Sequence, residues 1–245
     1  MIDPRVSIIM ATYRRPLQLA NTLESIVQQH HPGVEVIVVE DGNNNDLTAD
    51  VCRVYAQDGV RYLCRLNRPD LAFSNPAVPM NIGIRAAKGS VIILQGSECR
   101  HIGEVIGPLA DRVCANPNRA VIAAVAGINQ DGVQDIWLTH STNPRPLFFC
   151  GAIHRDHLIA IRGFDEDYVH AGWDDNDLAE RLRRHGVEFT WVDDIHVQHQ
   201  YHEHGASGEL ALINERMYQS KMAAMDRGEI SEVRNLGREW GSINA

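Results

Sequence analysis

Two groups of residues in this chain have types and spacing suited to chemistry. The first is Gly172-Trp173-Asp174-Asp175-Asn176-Asp177-Leu178, which puts paired carboxylates where a helix starts. Leu178 and Leu182 stand at i and i+4 on an apolar stripe, Asp174 or Asp175 can cap the first turn, and Gly186 supplies the stop. Such a helix start would hold at least one carboxylate at a cavity mouth instead of letting it float in solvent. An ordinary cap reads the same way, because acidic first turns favour the macrodipole. The second group is His196, His199, His202 and His204. With no cysteine nearby, their spacing matches no structural zinc pattern, which leaves a catalytic-metal ligand or plain polar surface.

The elements that must position these groups follow from apolar periodicity. Val6 to Thr12 reads as a strand that turns at Tyr13-Arg14-Arg15-Pro16 into a helix through Leu17, Leu19, Leu23 and Ile26. Val34 to Val39 is a second strand, ending at Glu40-Asp41-Gly42 before a run of asparagines and a helix through Val51 and Tyr55. Further strands are expected at Val60 to Leu63, Val91 to Leu94, Ala120 to Ala126, Leu147 to Ile153 and Phe189 to Val192. Helices are expected at Pro79 to Ala87, Glu104 to Ala115, a short one capped by Asp156, and Gly208 to Arg227. Asn129 to Arg145 reads as an irregular excursion. Continuous apolar strands alternating with helices imply an α/β fold with a mostly parallel sheet covered on both faces. In such sheets the ligand lies beyond the carboxyl ends of the strands, where Thr12, Asp41 and Gln95 to Glu98 fall.

At 245 residues and 44% hydrophobic content the chain can bury a real core without staples. A formal charge of −9 argues against broad electrostatic binding to nucleic acid or anionic membrane. The five cysteines are scattered and lack any C-x-x-C spacing, so neither a disulfide nor a zinc knuckle is expected. No run approaches the roughly 20 apolar residues of a membrane span, and no charged-then-apolar leader opens the chain. The expectation is a soluble, cytoplasmic protein. Of 23 basic residues only Lys88 and Lys221 are lysines, and arginine's planar fork suits phosphate and carboxylate.

Five segments in order and spacing resemble family 2 of the inverting nucleotide-sugar glycosyltransferases, over roughly residues 5 to 205. Val6 to Arg15 is similar to the family's opening strand and Thr-Tyr-Asn-Arg turn, and Val38-Val39-Glu40-Asp41-Gly42 to its Val-Asp-Asp-Gly-Ser signature. Asn81 to Gly89 resembles the Asn-x-Gly helix that leads into the metal-binding strand. Gly163-Phe164-Asp165-Glu166 and Gly172 to Leu178 resemble the acceptor-side signatures Gly-Gly-Phe-Asp-Glu and Gly-Trp-Gly-x-Glu-Asp. The resemblance implies a GT-A (Rossmann-like) domain at 1–205, with a nucleotide-sugar half at 1–100 and an acceptor half at 101–205. A C-terminal helical tail or lid would follow at 206–245.

The same resemblance implies an enzyme that moves a sugar from a nucleotide diphosphate donor, most frequently a UDP-sugar, to an acceptor hydroxyl. Donor positions would be Thr12, Tyr13, Arg14, Glu40, Asp41, Asn81, Gln95, Gly96, Ser97 and Gly151, with Asp41 accepting hydrogen bonds from the base edge. Asp175 would be the general base, Asp174 would hold acceptor hydroxyls, and Trp173 would offer a sugar platform or fill the core. Asp177 would cap the helix or pair with Arg181. The family's metal-binding Asp-x-Asp is replaced here by Gln95-Gly96-Ser97-Glu98, so a manganese or magnesium ion would rest on Glu98 and His199, with His101 and His202 in reserve. Without metal, Arg100, Arg14 or His101 would have to offset the diphosphate charge, and Met80 stands where many relatives carry an arginine. Asn214, Tyr218 and Lys221 on the tail helix would form a lid over the donor, and the helix's Leu210, Ile213, Met217 and Met222 stripe would serve core packing or a homodimer. Nucleotidyl transfer is disfavoured because no Gly-rich loop with lysine occurs near the N-terminus. A non-catalytic nucleotide- or sugar-binding relative remains the alternative.

Overall fold

The computed structural model of the chain describes residues 5–42, 47–70, 74–203 and 208–244; His204 and the asparagine run at 43–45 fall outside them. Among the described residues nine strands join one mixed sheet, with the main path β3-β2-β1-β4-β8-β6-β9-β5 and β7 added on β6. The strands are β1 (Val6–Thr12), β2 (Val34–Asp41), β3 (Val60–Arg65), β4 (Val91–Gly96), β5 (Cys99–Ile102), β6 (Arg119–Ile128), β7 (Gln134–Thr139), β8 (Cys150–His154) and β9 (Glu188–His199). Helices α1 (Pro16–Val27), α2 (Thr48–Val54), α3 (Ala77–Ala86), α4 (Ile106–Ala115), α5 (Arg155–Ala160), α6 (Asp174–Arg184) and α7 (Glu209–Asp226) connect or cover them.

The first half of the sheet is all parallel because β1, β2 and β4 are apolar on both sides and therefore need helices on both faces. Alternate residues of one strand serve opposite cores. Ile8 packs with Leu19 and Leu23 of α1 and Leu109 of α4, whereas Ile9 packs with Ile82 and Ile84 of α3 and Leu178 and Leu182 of α6. Beyond β4 the pairing becomes mixed: β8 runs antiparallel to both β4 and β6, while β6 and β9 are parallel. Only Ser97 and Glu98 separate β4 from β5, yet β5 pairs with β9 at the far edge of the sheet. Two residues span only about 7 Å, so the sheet must curl until that edge returns to the end of β4.

Several local expectations need correction. β7 lies inside the stretch expected to be irregular; its first three residues are exposed, which hides it from an apolar count. The last strand runs on to His199, so His196 and His199 lie within a strand instead of following one. The cap of α5 is His154, whose ring nitrogen accepts from the Asp156 N–H at 3.4 Å. Helix α6 has no side-chain cap: Trp173 occupies the cap position with a left-handed φ of 70°. Gly186 does close α6, at a φ of 88°. All five cysteines are free thiols. Among the described residues no helix is long and apolar enough to cross a membrane.

Candidate active site

Parallel register brings the strand ends together. Thr12 stands opposite Glu40 and Ala11 opposite Gly96, so β1, β2 and β4 stop in one row. A cleft of about 1070 Å³ opens beyond them, lined on this wall by Thr12, Tyr13, Arg14, Arg15, Asp41 and Glu98 and on the opposite wall by Phe148, Asp174 and Asp175. The Thr12 hydroxyl is buried without a hydrogen-bond partner, a polar atom awaiting a ligand. Asp41 is held by two guanidinium groups, Arg65 at 3.1 Å on one carboxylate oxygen and Arg68 at 3.2 Å on the other. The Arg68 guanidinium also lies over the Tyr13 ring, 3.9 Å from its centre. This fixes a flat, charged floor of aromatic ring, arginine fork and carboxylate at the end of β2. Arg14 adopts a left-handed φ of 54°, exposed at the cleft edge.

The curl of the sheet builds a second cluster at the end of β4. Cys99 pairs with His199 across β5 and β9, and His199 pairs in turn with Gly127 of β6. Gln200 seals the corner, its backbone N–H donating to the Glu98 carbonyl at 3.0 Å and its side chain to Gln18, Thr22 and Glu98. As a result one oxygen of Glu98 and one ring nitrogen each of His199 and His202 lie within 4.8 Å of one another, all facing the cleft. The edge of Phe149 meets the His199 ring, 5.3 Å between centres, and fixes its orientation. Arg15 reaches the other Glu98 oxygen at 3.0 Å. Burial alone would raise the Glu98 carboxyl, but the His199 hydrogen bond and the Arg15 charge hold it well below the usual carboxylate range. Burial pushes the His202 imidazole down, with Arg15 and His199 adding to it. One carboxylate oxygen with two imidazole nitrogens is a donor set that suits manganese. The residues present therefore fit such an ion.

On the opposite wall Gly172 and Trp173 both adopt left-handed φ, 78° and 70°, and aim the start of α6 into the cleft. Burial raises the Asp174 carboxyl, and the Asn75 side chain opposes this. The Asp175 carboxyl is pushed further up, first by burial and then by the charge of Asp174; the Phe148 N–H, at 3.3 Å, and Arg145 only partly offset it. A carboxylate raised in this way is a stronger base than a solvated one. Asp177 and Arg181 do pair, at 2.6 Å with both side chains fully buried, and the Tyr168 hydroxyl adds a third member.

Seven expected site residues do not reach the cleft. Glu40 is buried and bound by the Tyr62 hydroxyl. Asn81 clamps both the N–H and the C=O of Phe164, at 2.8 and 2.9 Å, and donates to Glu166 at 2.8 Å, so it braces the 163–166 loop. Gln95 and His101 bond each other at 2.8 Å, and His101 takes its second bond from Gln29, also at 2.8 Å. With both nitrogens occupied and burial lowering its pKa to about 3, His101 is a neutral structural group and no metal ligand. Ser97 donates to Glu98 at 3.1 Å, and Gly151 leaves room for Ile122, which a Cβ would meet at 2.6 Å. Trp173 turns away and stacks on Tyr218, 5.0 Å between ring centres. Arg100 is exposed on β5 and Met80 lines the cleft as an apolar residue, so Arg14 and Arg15 supply its positive charge.

The tail helix also differs from its expected role. Its packed stripe is Asn214, Tyr218, Lys221 and Met225, and Ile213 is 50% exposed. Asn214 and Lys221 bind the 165–172 loop, and none of the stripe lines the cleft. Sequence reasoning passed over Arg15, Arg65, Arg68 and Asn75. Arg15 had a local signal, its place beside Arg14 in the turn after β1, whereas the others become relevant only through pairing across the fold.

A curled α/β sheet with a carboxylate–imidazole cluster at the parallel strand ends and an acidic helix start across the cleft is the GT-A architecture. S. aureus TarS 1–349 in complex with UDP superimposes with a TM-score of 0.69 at 17% identity, over 89% of this chain and 65% of that one. GalNAc-T7 with UDP, GalNAc and Mn2+ gives 0.69 at 15% identity, over 89% and 48%. Residues 7–168 match the family described as glycosyl transferase family 2, and residues 144–204 match the N-terminal domain of galactosyltransferase. The chain belongs to glycosyltransferase family 2. Among curated relatives, the hyaluronan synthase of Pasteurella multocida is 27% identical over 80% of this chain, and the chondroitin synthase of Escherichia coli is 24% identical over 82%. The chain spans 24% and 35% of the lengths of these two proteins.

Proposed function

We propose that this chain transfers a sugar from a UDP-sugar to an acceptor hydroxyl with inversion, and that Asp175 is the general base. The observation that carries this reading is the facing of two unlike walls across one cleft. One has an ionised carboxylate with two imidazoles, and the other has a carboxyl whose proton affinity is raised. A one-step inversion needs this separation: the leaving diphosphate must be stabilised on one side of the sugar while the acceptor loses its proton on the other. One base suffices because no covalent intermediate forms.

On the donor side, Asp41 takes the base edge, Tyr13 and Arg68 flank it, and the Thr12 hydroxyl finds a partner in the nucleoside. Glu98, His199 and His202 would hold a manganese or magnesium ion, which would supply positive charge to the diphosphate. Arg15, already within 3.0 Å of Glu98, carries a second cation to the same place. On the acceptor side, Asp174 orients the hydroxyl and Asp175 removes its proton. The solved relatives named with UDP support the choice of donor nucleotide, and the two synthases support a glycan acceptor. We place the catalytic domain at residues 1–205 and the tail at 206–245.

Calorimetric titration with UDP, GDP, dTDP and CMP, each with and without manganese, tests this reading. Metal-dependent binding of UDP alone is the expected result. Binding that ignores manganese removes the role given to Glu98, His199 and His202. No binding by any of the four removes the nucleotide site and with it the transferase reading.

A further inference from the structure

Helix α7 lies beyond both segments that match known families, which end at residues 168 and 204. Its one fully packed polar side chain is Asn214, 1% exposed. The Asn214 amide nitrogen donates to the carbonyls of His170 at 2.7 Å and Gly172 at 2.8 Å, with Ala171 at 3.4 Å. Three successive carbonyls thus converge on one NH2 group. The same His170 carbonyl accepts from Asn75 at 2.8 Å, so the loop is gripped from the nucleotide half and from the tail together. One turn further along α7 Tyr218 stacks on Trp173, and at the next turn Lys221 is bonded to the buried Asp165.

This loop requires an external hold. Gly172 and Trp173 are consecutive residues with positive φ, and for tryptophan that conformation is strained. Asp174 and Asp175 follow at once, and the first turn of α6 begins with the Asp177 N–H on the Trp173 carbonyl at 2.9 Å. A small rotation at Trp173 therefore swings both carboxylates. We infer that Asn214 is a positioning residue for Asp175, and that α7 belongs to the active site as the element that sets the turn at 172–173. The inference rests on the transferase reading for its catalytic consequence, but the hold itself does not. Asn214 touches neither donor nor acceptor; it acts through the backbone that carries the base.

Hydrogen exchange in Asn214→Ala, read by mass spectrometry on peptides covering 168–178, tests the hold without any substrate. Exchange there is expected to quicken on the order of tenfold, with the β1 and β4 peptides unchanged. Should Asn214→Ala fail to fold, Tyr218→Ala removes the stack and leaves the buried amide, with the same direction expected. Rates of UDP release from a UDP-sugar then test the consequence. Asn214→Ala is expected to lower kcat by on the order of 10²-fold with donor KM unchanged, and to add nothing in an Asp175→Asn background. Unchanged exchange at 168–178 overturns the hold, and a loss additive with that of Asp175→Asn overturns the action through Asp175. If wild-type chain releases UDP from no donor, the transferase reading falls, and the exchange result still decides whether Asn214 sets the turn.

Discussion

The two walls of the cleft hold their functional groups by different means. On the wall proposed to take the donor, Thr12, Asp41 and Glu98 sit at or just beyond the ends of buried parallel strands, and register alone puts them in a row. On the wall proposed to take the acceptor, Asp174 and Asp175 hang from two left-handed residues, braced by Asn75 and by helix α7. Strand ends cannot move without unpairing a sheet, whereas a turn held by a few side-chain hydrogen bonds opens at far lower cost. On the proposed reading, donor binding rests on the rigid part and acceptor contact on the adjustable one.

The sharpest way to separate the walls is to disable one group on the acceptor side. Asp175→Asn keeps the shape and removes the proposed base, so transfer should fall by about 10²- to 10⁴-fold, while UDP affinity in calorimetry stays at the wild-type value. Full transfer in that variant would move the base elsewhere. The next largest effect is on stability and also lies beneath the acceptor wall. Arg181→Met leaves Asp177 buried and unpaired, which costs about 3–5 kcal/mol. At this chain length that lowers Tm by roughly 6–20 °C in a calorimetric scan. Asp111→Ala, which breaks the exposed pair with Arg5, should move Tm by no more than about 4 °C.

The contrast between the walls also explains what could be read from sequence. Val6 to Thr12 and Val34 to Asp41 declare themselves because a strand buried on both faces must be apolar throughout, and a row of such strands fixes where their ends lie. That Thr12, Asp41 and Glu98 line the cleft was legible for that reason, and that Asp174 and Asp175 do so because paired carboxylates open an otherwise plain helix. Glu40, Asn81 and Gln95 were misplaced because a polar side chain beside a signature can face inward as easily as outward. In each case the deciding partner, Tyr62, Phe164 or His101, is distant in sequence or on the next strand. His202 gained its place beside Glu98 and His199 only through the curl of the sheet, which no local pattern encodes. Asn214 was taken for a lid residue because helical spacing reveals a stripe but not what the stripe packs on.

On the donor wall Glu98→Gln provides the counterpart to Asp175→Asn. The amide retains the side-chain volume but loses the charge to which His199, His202 and Arg15 are arranged. Manganese-supported binding of UDP should weaken on the order of 100-fold, or about 2.7 kcal/mol, and binding measured in EDTA should change little. The pattern is the reverse of that for Asp175→Asn, where binding holds and transfer fails. If both variants lose binding equally, the division of labour between the walls is wrong.

The smallest effect tests whether Asp174 tunes Asp175. With Asp175 as the proposed base, transfer needs it ionised, so with its pKa raised the rate is expected to climb with pH through that value and to level off above it. Asp174→Asn removes one of the two causes of the rise, the neighbouring negative charge, and leaves the other, burial. The acid limb of kcat/KM must then move to lower pH. The same change acts on stability with a sign of its own. A carboxyl whose pKa is raised in the folded state favours folding when protonated, and that contribution is lost as pH rises through the folded value. Wild-type Tm should therefore decline over that range on account of the pair, and Asp174→Asn should flatten the decline. An acid limb that stays in place would mean that burial alone sets the proton affinity of Asp175. Asp174 would then serve only to orient the acceptor, and its loss would appear in acceptor KM instead of in the pH profile.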